Sequence, residues 1–298
     1  MHTVEVSHIS KAFGKTQAVA DVSFHVERGE IFGLLGPNGA GKTTTIRIML
    51  DIFKPDAGEV AVLGGPMTEE KKNRIGYMPE ERGLYQDIAL ERCLTYLATL
   101  KGLPPAEAHR RLGQWLERFD LAAHRTKKVK ELSKGMQQKA QIIAAVIHEP
   151  ELLIVDEPFA ALDPVNTQMV KDLMRELRDR GTAIIMSTHQ MHQVEELCDR
   201  ILLINRGRDV LYGNLDDVRR QHSGHAVVVR AVGDLPPLEG VVSASRHNSE
   251  VRLNLADGVT PQDVLKALVQ AGCALEKFEI AVPSLDEIFI RVVGKGGE

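Results

Sequence analysis

The chain has 298 residues, 43% of them hydrophobic and 26% charged, with a net charge of −4. That is ordinary for a globular protein, long enough for two domains of roughly 100–200 residues each, and it gives no electrostatic reason to expect nucleic acid as a partner. Cys93, Cys198 and Cys273 are few, odd in number and far apart, which fits a reducing compartment and supports neither a disulfide framework nor a zinc cluster. The first residues lack a basic segment followed by an apolar core, so no export signal is expected. No apolar run approaches the roughly 20 residues that span a bilayer, so work at a membrane would go through another polypeptide.

In chain order, residues 3–9 and 18–26 alternate enough to predict strands, with a turn at 11–15. A short apolar run at 31–35 reads as a buried strand, and a helix is expected from Thr44. Lys54-Pro55-Asp56-Ala57-Gly58 breaks the chain before a strand at 59–63, and a further short strand at 74–78 ends at Pro79. Residues 88–101 and 105–120 change to a helical period. In the second of these, Ala108, Leu112, Trp115, Leu116 and Phe119 share one face, a stripe that reads as core and gives Trp115 no functional role. The basic run at 125–130 reads as a solvated connector, and 137–147 is a helix apolar enough to be buried. Runs at 152–155 and 183–186 are continuously apolar, which predicts strands of a parallel sheet covered on both sides, flanking a helix at 165–180. A hairpin at 201–212 closes this part. Beyond it we expect a short helix at 215–221, strands at 225–231, 241–246, 250–255 and 274–281, a helix at 261–271, and a last helix after Pro283.

The strongest local signal is Gly36-Pro37-Asn38-Gly39-Ala40-Gly41-Lys42-Thr43, between the strand at 31–35 and the helix expected from Thr44. Glycines allow backbone N–H groups to converge on an anion, the helix N-terminus adds partial positive charge, Lys42 can reach outer phosphates and Thr43 offers a hydroxyl to Mg²⁺. The run at 152–155 delivers Asp156 and Glu157 at its C-terminal end, where open α/β sheets bind ligands. Asp156 is suited to hold Mg²⁺ through water, and Glu157 to polarise an attacking water. Leu132-Ser133-Lys134-Gly135-Met136 reads as a turn that caps the buried helix, its free N–H groups suited to an anion.

The order phosphate loop, Leu132-Ser133-Lys134-Gly135-Met136, Asp156-Glu157, Ala161-Leu162-Asp163 and Ser187-Thr188-His189 resembles the nucleotide-binding subunits of ABC transporters over residues 1–213. The C-terminal part, with Pro283-Ser284-Leu285-Asp286-Glu287-Ile288-Phe289, is similar to the extension of bacterial ABC-2 type exporters, including sodium and drug efflux ATPases. The resemblance implies two copies holding two ATP molecules head to tail, each site joining one copy's phosphate loop to the other's signature turn. Ser133 and Gly135 would touch the γ-phosphate held by Lys42 of the other copy. Glu157 resembles the general base and His189 the residue that contacts γ-phosphate. Asp163 resembles the loop coupling the two sites, and Phe13 stands where the family stacks an aromatic ring on adenine. The signature departs from the family at Lys134, usually Gly, and Met136, usually Gln. Glu80 stands where the family often has a Gln that reaches Mg²⁺ or water, so Glu80 is a candidate metal ligand beside Thr43 and Asp156. The loop around Glu80 and the following helical insert are where the family docks its membrane subunit.

The expectation is therefore an α/β P-loop NTPase cassette at 1–220, with a helical insert at about 87–147 and a small α+β domain at 221–298. It would be an ATP- and Mg²⁺-dependent ATPase, coupled to transport. Closure of a head-to-tail dimer would energise a separate integral membrane permease, with export as the direction, at the cytoplasmic face of the membrane. The alternative is a non-transport ABC ATPase acting on ribosome or DNA. Those resemble tandem cassettes or carry coiled-coil insertions, and the chain has one cassette and no heptad run. A small-molecule kinase is disfavoured by the signature turn and by Glu157.

Overall fold

The computed structural model describes residues 2–81, 83–223, 226–247 and 249–294, in two compact units, Met1–Gly213 and Asn214–Glu298. The strands in chain order are β1 (Val4–Phe13), β2 (Thr16–Val26), β3 (Ile31–Leu35), β4 (Ala57–Val62), β5 (Ile75–Met78), β6 (Leu152–Asp156), β7 (Ala183–Thr188), β8 (Arg200–Asn205) and β9 (Arg208–Asn214). The second unit adds β10 (Ala226–Val232), β11 (Val241–His247), β12 (Glu250–Leu255) and β13 (Ala274–Ile280).

In the first unit β2, β1 and β4 form an antiparallel sheet, and a second sheet runs in the order β5-β6-β7-β3-β8-β9. Its strands β5, β6, β7, β3 and β8 are parallel, and β3, β6 and β7 are buried along their whole length, as their unbroken apolarity predicts. One core joins the sheets, with Phe24 of β2 stacked on Phe32 of β3 at a centroid distance of 5.3 Å. The β1–β2 hairpin is tighter than the expected turn at 11–15, because β1 runs on to Phe13 and β2 starts at Thr16. The alternation slips at His8, which sits at a break in register with φ 51°, so Val4, Val6 and Ile9 all face the core.

Helices Leu90–Leu100 and Pro105–Arg118 form the insert and pack through Leu90, Cys93, Leu94 and Ala98 of the first and Ala108, Leu112 and Leu116 of the second. Complete burial of a leucine stabilises by roughly 1.5–3 kcal/mol, so this stripe is enough to seat the insert without a ligand. Helix Lys134–Val146 begins three residues earlier than its apolar pattern, because Ser133 caps it: the Ser133 hydroxyl accepts from Met136 N–H at 3.2 Å.

The second unit contains the helix Leu215–Gln221, so the boundary expected near 221 instead lies before that helix. Its sheet, β11-β12-β10-β13, is antiparallel throughout and packs Val227, Val229, Leu253 and Leu255 against Val264 and Leu268 of helix Pro261–Gln270. That helix opens on a reciprocal cap between Thr260 and Asp263, and helix Leu285–Gly294 follows β13.

Candidate functional site

In the parallel sheet Leu35 of β3 pairs with Thr188 of β7, and Asp156 of β6 pairs with Ser187 of β7. Three neighbouring strands thus end level, and the segments leaving them meet at one edge: Gly36 onward from β3, Glu157 from β6 and His189 from β7. Glu80, just beyond β5, reaches the same pocket, which is lined by Asn38 to Thr44, Ala18, Glu80, Asp156 and Glu157. This is the C-terminal edge at which such sheets bind ligands.

The phosphate loop needs glycine at two places. A Cβ on Gly36, at φ 145°, would lie 2.1 Å from the Ile204 carbonyl oxygen, and one on Gly41, at φ 113°, would lie 2.4 Å from that of Ala18. With Gly41 in this conformation the helix Lys42–Met49 begins directly, two residues before the expected Thr44. Lys42 is buried, and its ammonium donates to the carbonyls of Gly36 at 2.7 Å and Pro37 at 3.2 Å. Burial pulls its pKa below the usual lysine range, against the opposing pull of Glu157, Asp156 and Glu80. Among the described residues its hydrogen bonds go to neutral carbonyls, which leaves the ammonium charge available to an anion.

The Thr43 hydroxyl donates to Asp156 Oδ2 at 3.2 Å, which brings two hard oxygen donors together, a set that suits Mg²⁺. Asp156 is 2% exposed, and burial raises its carboxyl above the ordinary range, while the hydrogen bond from the Thr43 hydroxyl pulls it back. Glu157 takes a left-handed backbone, φ 50°, its N–H donating to the Ser187 carbonyl at 2.8 Å. Its carboxylate is fixed on both oxygens. Oε2 accepts from the Thr188 hydroxyl at 3.0 Å, and Oε1 accepts from His189 N–H at 3.0 Å and lies 2.6 Å from His189 Nδ1. The His189 side chain itself is 56% exposed at the pocket edge.

The remaining expected residues lie elsewhere. Ser133 is exposed and caps its own helix, and the exposed Asp163 caps helix Pro164–Asp179 by accepting from Asn166 N–H at 2.8 Å. Gly135 lies against the Ala161 carbonyl, which a Cβ there would approach to 2.9 Å, so the signature turn and the Asp163 loop are packed together. Phe13 is 45% exposed at the end of β1, edge-on to Phe53 at 5.3 Å and with the Lys11 ammonium 5.7 Å from its ring centre. None of these four lines the phosphate pocket of its own chain.

Sequence reasoning missed Gln138. Its amide donates to the Glu157 and Pro158 carbonyls, both at 3.1 Å, and so ties the signature helix to the backbone that carries the carboxylate. A polar residue in a helix read as buried is the signal that marks it. The sequence reading gives Ser187 and Thr188 no role, yet the Thr188 hydroxyl holds Glu157. Polar residues that end a continuously apolar strand beside Asp156 are the corresponding sign.

Residues 19–160 match the family profile described as ABC transporter, and residues 213–293 match one described as ATP-binding protein DrrA1-3-like, C-terminal domain. The chain is 41% identical to the ABC transporter ATP-binding protein YhaQ of Bacillus subtilis (strain 168), over 97% of this chain and 98% of that one. It is 33% identical to the daunorubicin resistance ATP-binding protein DrrA3 of Streptomyces coeruleorubidus, over 98% and 96%. A solved ATP binding subunit of an ABC transporter superposes with a TM-score of 0.70 at 36% identity, over 74% of this chain and 93% of that one.

Proposed function

The chain belongs to the family of ABC transporter ATP-binding proteins, and from that premise we propose that it hydrolyses ATP and drives a separate integral membrane permease. The observation that carries the reading is the Glu157 carboxylate, bound by Thr188 and His189 beside a phosphate loop with a buried lysine. In this reading Lys42 leaves the Gly36 and Pro37 carbonyls for the outer phosphates of ATP. Glu157 takes the proton of the attacking water, and His189, held through its Nδ1, turns its exposed ring edge toward the γ-phosphate. Thr43 and Asp156 would hold Mg²⁺, with Glu80 as a further candidate ligand on the pocket wall. Bound there, Mg²⁺ neutralises charge on the phosphate oxygens.

Ser133, Gly135 and Asp163 stand away from their own phosphate pocket, which supports the reading that a second copy, head to tail, brings them to it. Phe13 is proposed as the adenine platform because its exposed ring ends the strand before the pocket. No described helix is long and apolar enough to cross a membrane, so the transport pathway is assigned to a permease that this chain meets at the cytoplasmic face. Export is proposed as the direction on the strength of the resistance-type relative.

The test is paired. Purified protein should release phosphate from ATP in the presence of Mg²⁺, and Lys42→Ala should lose nucleotide binding. Normal affinity in that variant would refute the site, and recovery with ribosomes or DNA instead of a membrane protein would refute the transport role.

A further inference from the structure

The β1–β2 edge carries a side-chain cluster that the ATPase reading does not use. Thr3 N–H donates to the Val26 carbonyl at 2.8 Å, which lays the chain before β1 alongside the end of β2. Phe24 and Val26 face the core, so the two-residue period of a strand turns His25 outward, and Glu27 follows it to the same side. His2 completes the group. Its Nδ1 lies 2.7 Å from Glu27 Oε1, His25 Nε2 lies 3.7 Å from the same oxygen, and the two imidazole rings are 4.1 Å apart.

We propose that His2, His25 and Glu27 form a binding site for a divalent transition-metal ion of the zinc type. One ligand atom from each closes to within 4.8 Å of the others, and among the described residues no other three His, Cys, Asp or Glu side chains do so. Metal–ligand bonds of about 2.0–2.2 Å in tetrahedral geometry put neighbouring ligand atoms about 3.4 Å apart. The observed 2.7 and 3.7 Å bracket that value, and the side chains are exposed enough to adjust. Two imidazoles and one carboxylate favour zinc over Mg²⁺ or Ca²⁺, which take oxygen ligands. Partial exposure of all three leaves a fourth position for water.

The surroundings fit a ligand set. Among the described residues the ion-pair partners of Glu27 are these two imidazoles, with no lysine or arginine competing for its carboxylate. The other ring nitrogen of His25, Nδ1, lies 3.0 Å from the Tyr212 hydroxyl, which orients the ring and aims Nε2 at Glu27. Arg200 is the nearby cation: it bonds the Tyr212 oxygen, donates to the His25 carbonyl at 3.4 Å and pairs with Glu30 at 3.4 Å, so its guanidinium is engaged beside the ligand set and does not pair with Glu27. A bound ion would clip residue 2 to the end of β2. The cluster shares no residue with the phosphate pocket, so the proposal stands apart from the ATPase reading.

The test uses untagged protein stripped with chelator and titrated with Zn²⁺ against a chromophoric competitor, and with Co²⁺ by visible absorption. We expect one tight equivalent, a Co²⁺ ligand-field band without thiolate charge transfer, and a rise in Tm on binding. His2→Ala, His25→Gln and Glu27→Gln should each weaken that equivalent by at least about tenfold. Because His25→Gln disturbs the Tyr212 contact, His2→Ala, which lies outside both strands, serves as the variant least coupled to folding, checked by an unchanged Tm in chelator. Equal uptake by the parent and His2→Ala, or no tight equivalent in the parent, overturns the proposal.

Discussion

Replacing Gln138 with leucine should slow hydrolysis without weakening ATP binding. The Gln138 amide makes two hydrogen bonds, to the Glu157 and Pro158 carbonyls, and it does not line the phosphate pocket. A neutral hydrogen bond contributes about 0.5–1.5 kcal/mol net, so the pair is worth about 2 kcal/mol. What they hold is costly in itself, because Glu157 is in the left-handed region at φ 50°, a conformation that disfavours a residue with a Cβ by about 1–2 kcal/mol. If the lost 2 kcal/mol falls on the positioning of the carboxylate, kcat drops about 30-fold, at 1.36 kcal/mol per factor of ten. Phosphate release measured across ATP concentration separates the terms: kcat should fall and KM should stay within a factor of about two. Gln138→Glu should be worse than Gln138→Leu, since it aims a carboxylate at two carbonyl oxygens. A folded Gln138→Leu protein with parental kcat refutes the clamp.

Gly41→Ala should abolish nucleotide binding and destabilise the cassette by more than about 2 kcal/mol, because the new Cβ meets the Ala18 carbonyl at 2.4 Å from a φ of 113°. Gly39→Ala, with open space around its Cβ, should cost only the left-handed backbone term of about 1–2 kcal/mol; melting curves and nucleotide titrations with equal losses for the two would contradict the distinction. His148, whose Nε2 bonds the Ile75 carbonyl, is lowered to about 4, first by burial and then by Lys101. Its folded pKa is depressed, so its contribution is full above the ordinary 6.5, is lost as pH falls toward 4, and amounts to about 3 kcal/mol at most. Urea midpoints between pH 7 and 4.5 should fall more steeply for the parent than for His148→Gln, and parallel curves would rule this out.

Much of the site was legible because its chemistry is local in sequence. Gly36 to Thr43 requires its glycines for reasons visible at the level of the backbone, and the apolar run before Asp156 announces both a buried strand and the acid it delivers. The parallel sheet followed from continuous apolarity at 152–155 and 183–186, since strands covered on both faces have no polar side. What escaped depends on partners distant in the chain or on unusual backbone. The slip at His8 hid the rest of β1, because a left-handed residue shifts the alternation by one. The cap of helix Lys134–Val146 was legible, but its first turn, Lys134 to Met136, lacks the apolar pattern and so read as part of the capping turn. Gln138 declares itself only when the fold brings it to Glu157, nineteen positions away. The domain break moved because the helix Leu215–Gln221 carries no sign of which core it joins until the contacts are formed.

The most direct measurement of the central claim, that two copies complete the ATP site and Glu157 fires it, is the mass in solution of the Glu157→Gln protein with and without ATP and Mg²⁺. Losing the base should slow hydrolysis by roughly 10²–10⁴ while leaving binding intact, so light scattering on a sizing column should report a dimer with ATP and a monomer without it. A Glu157→Gln protein that holds ATP yet stays monomeric, or that hydrolyses ATP at the parental rate, would contradict the account.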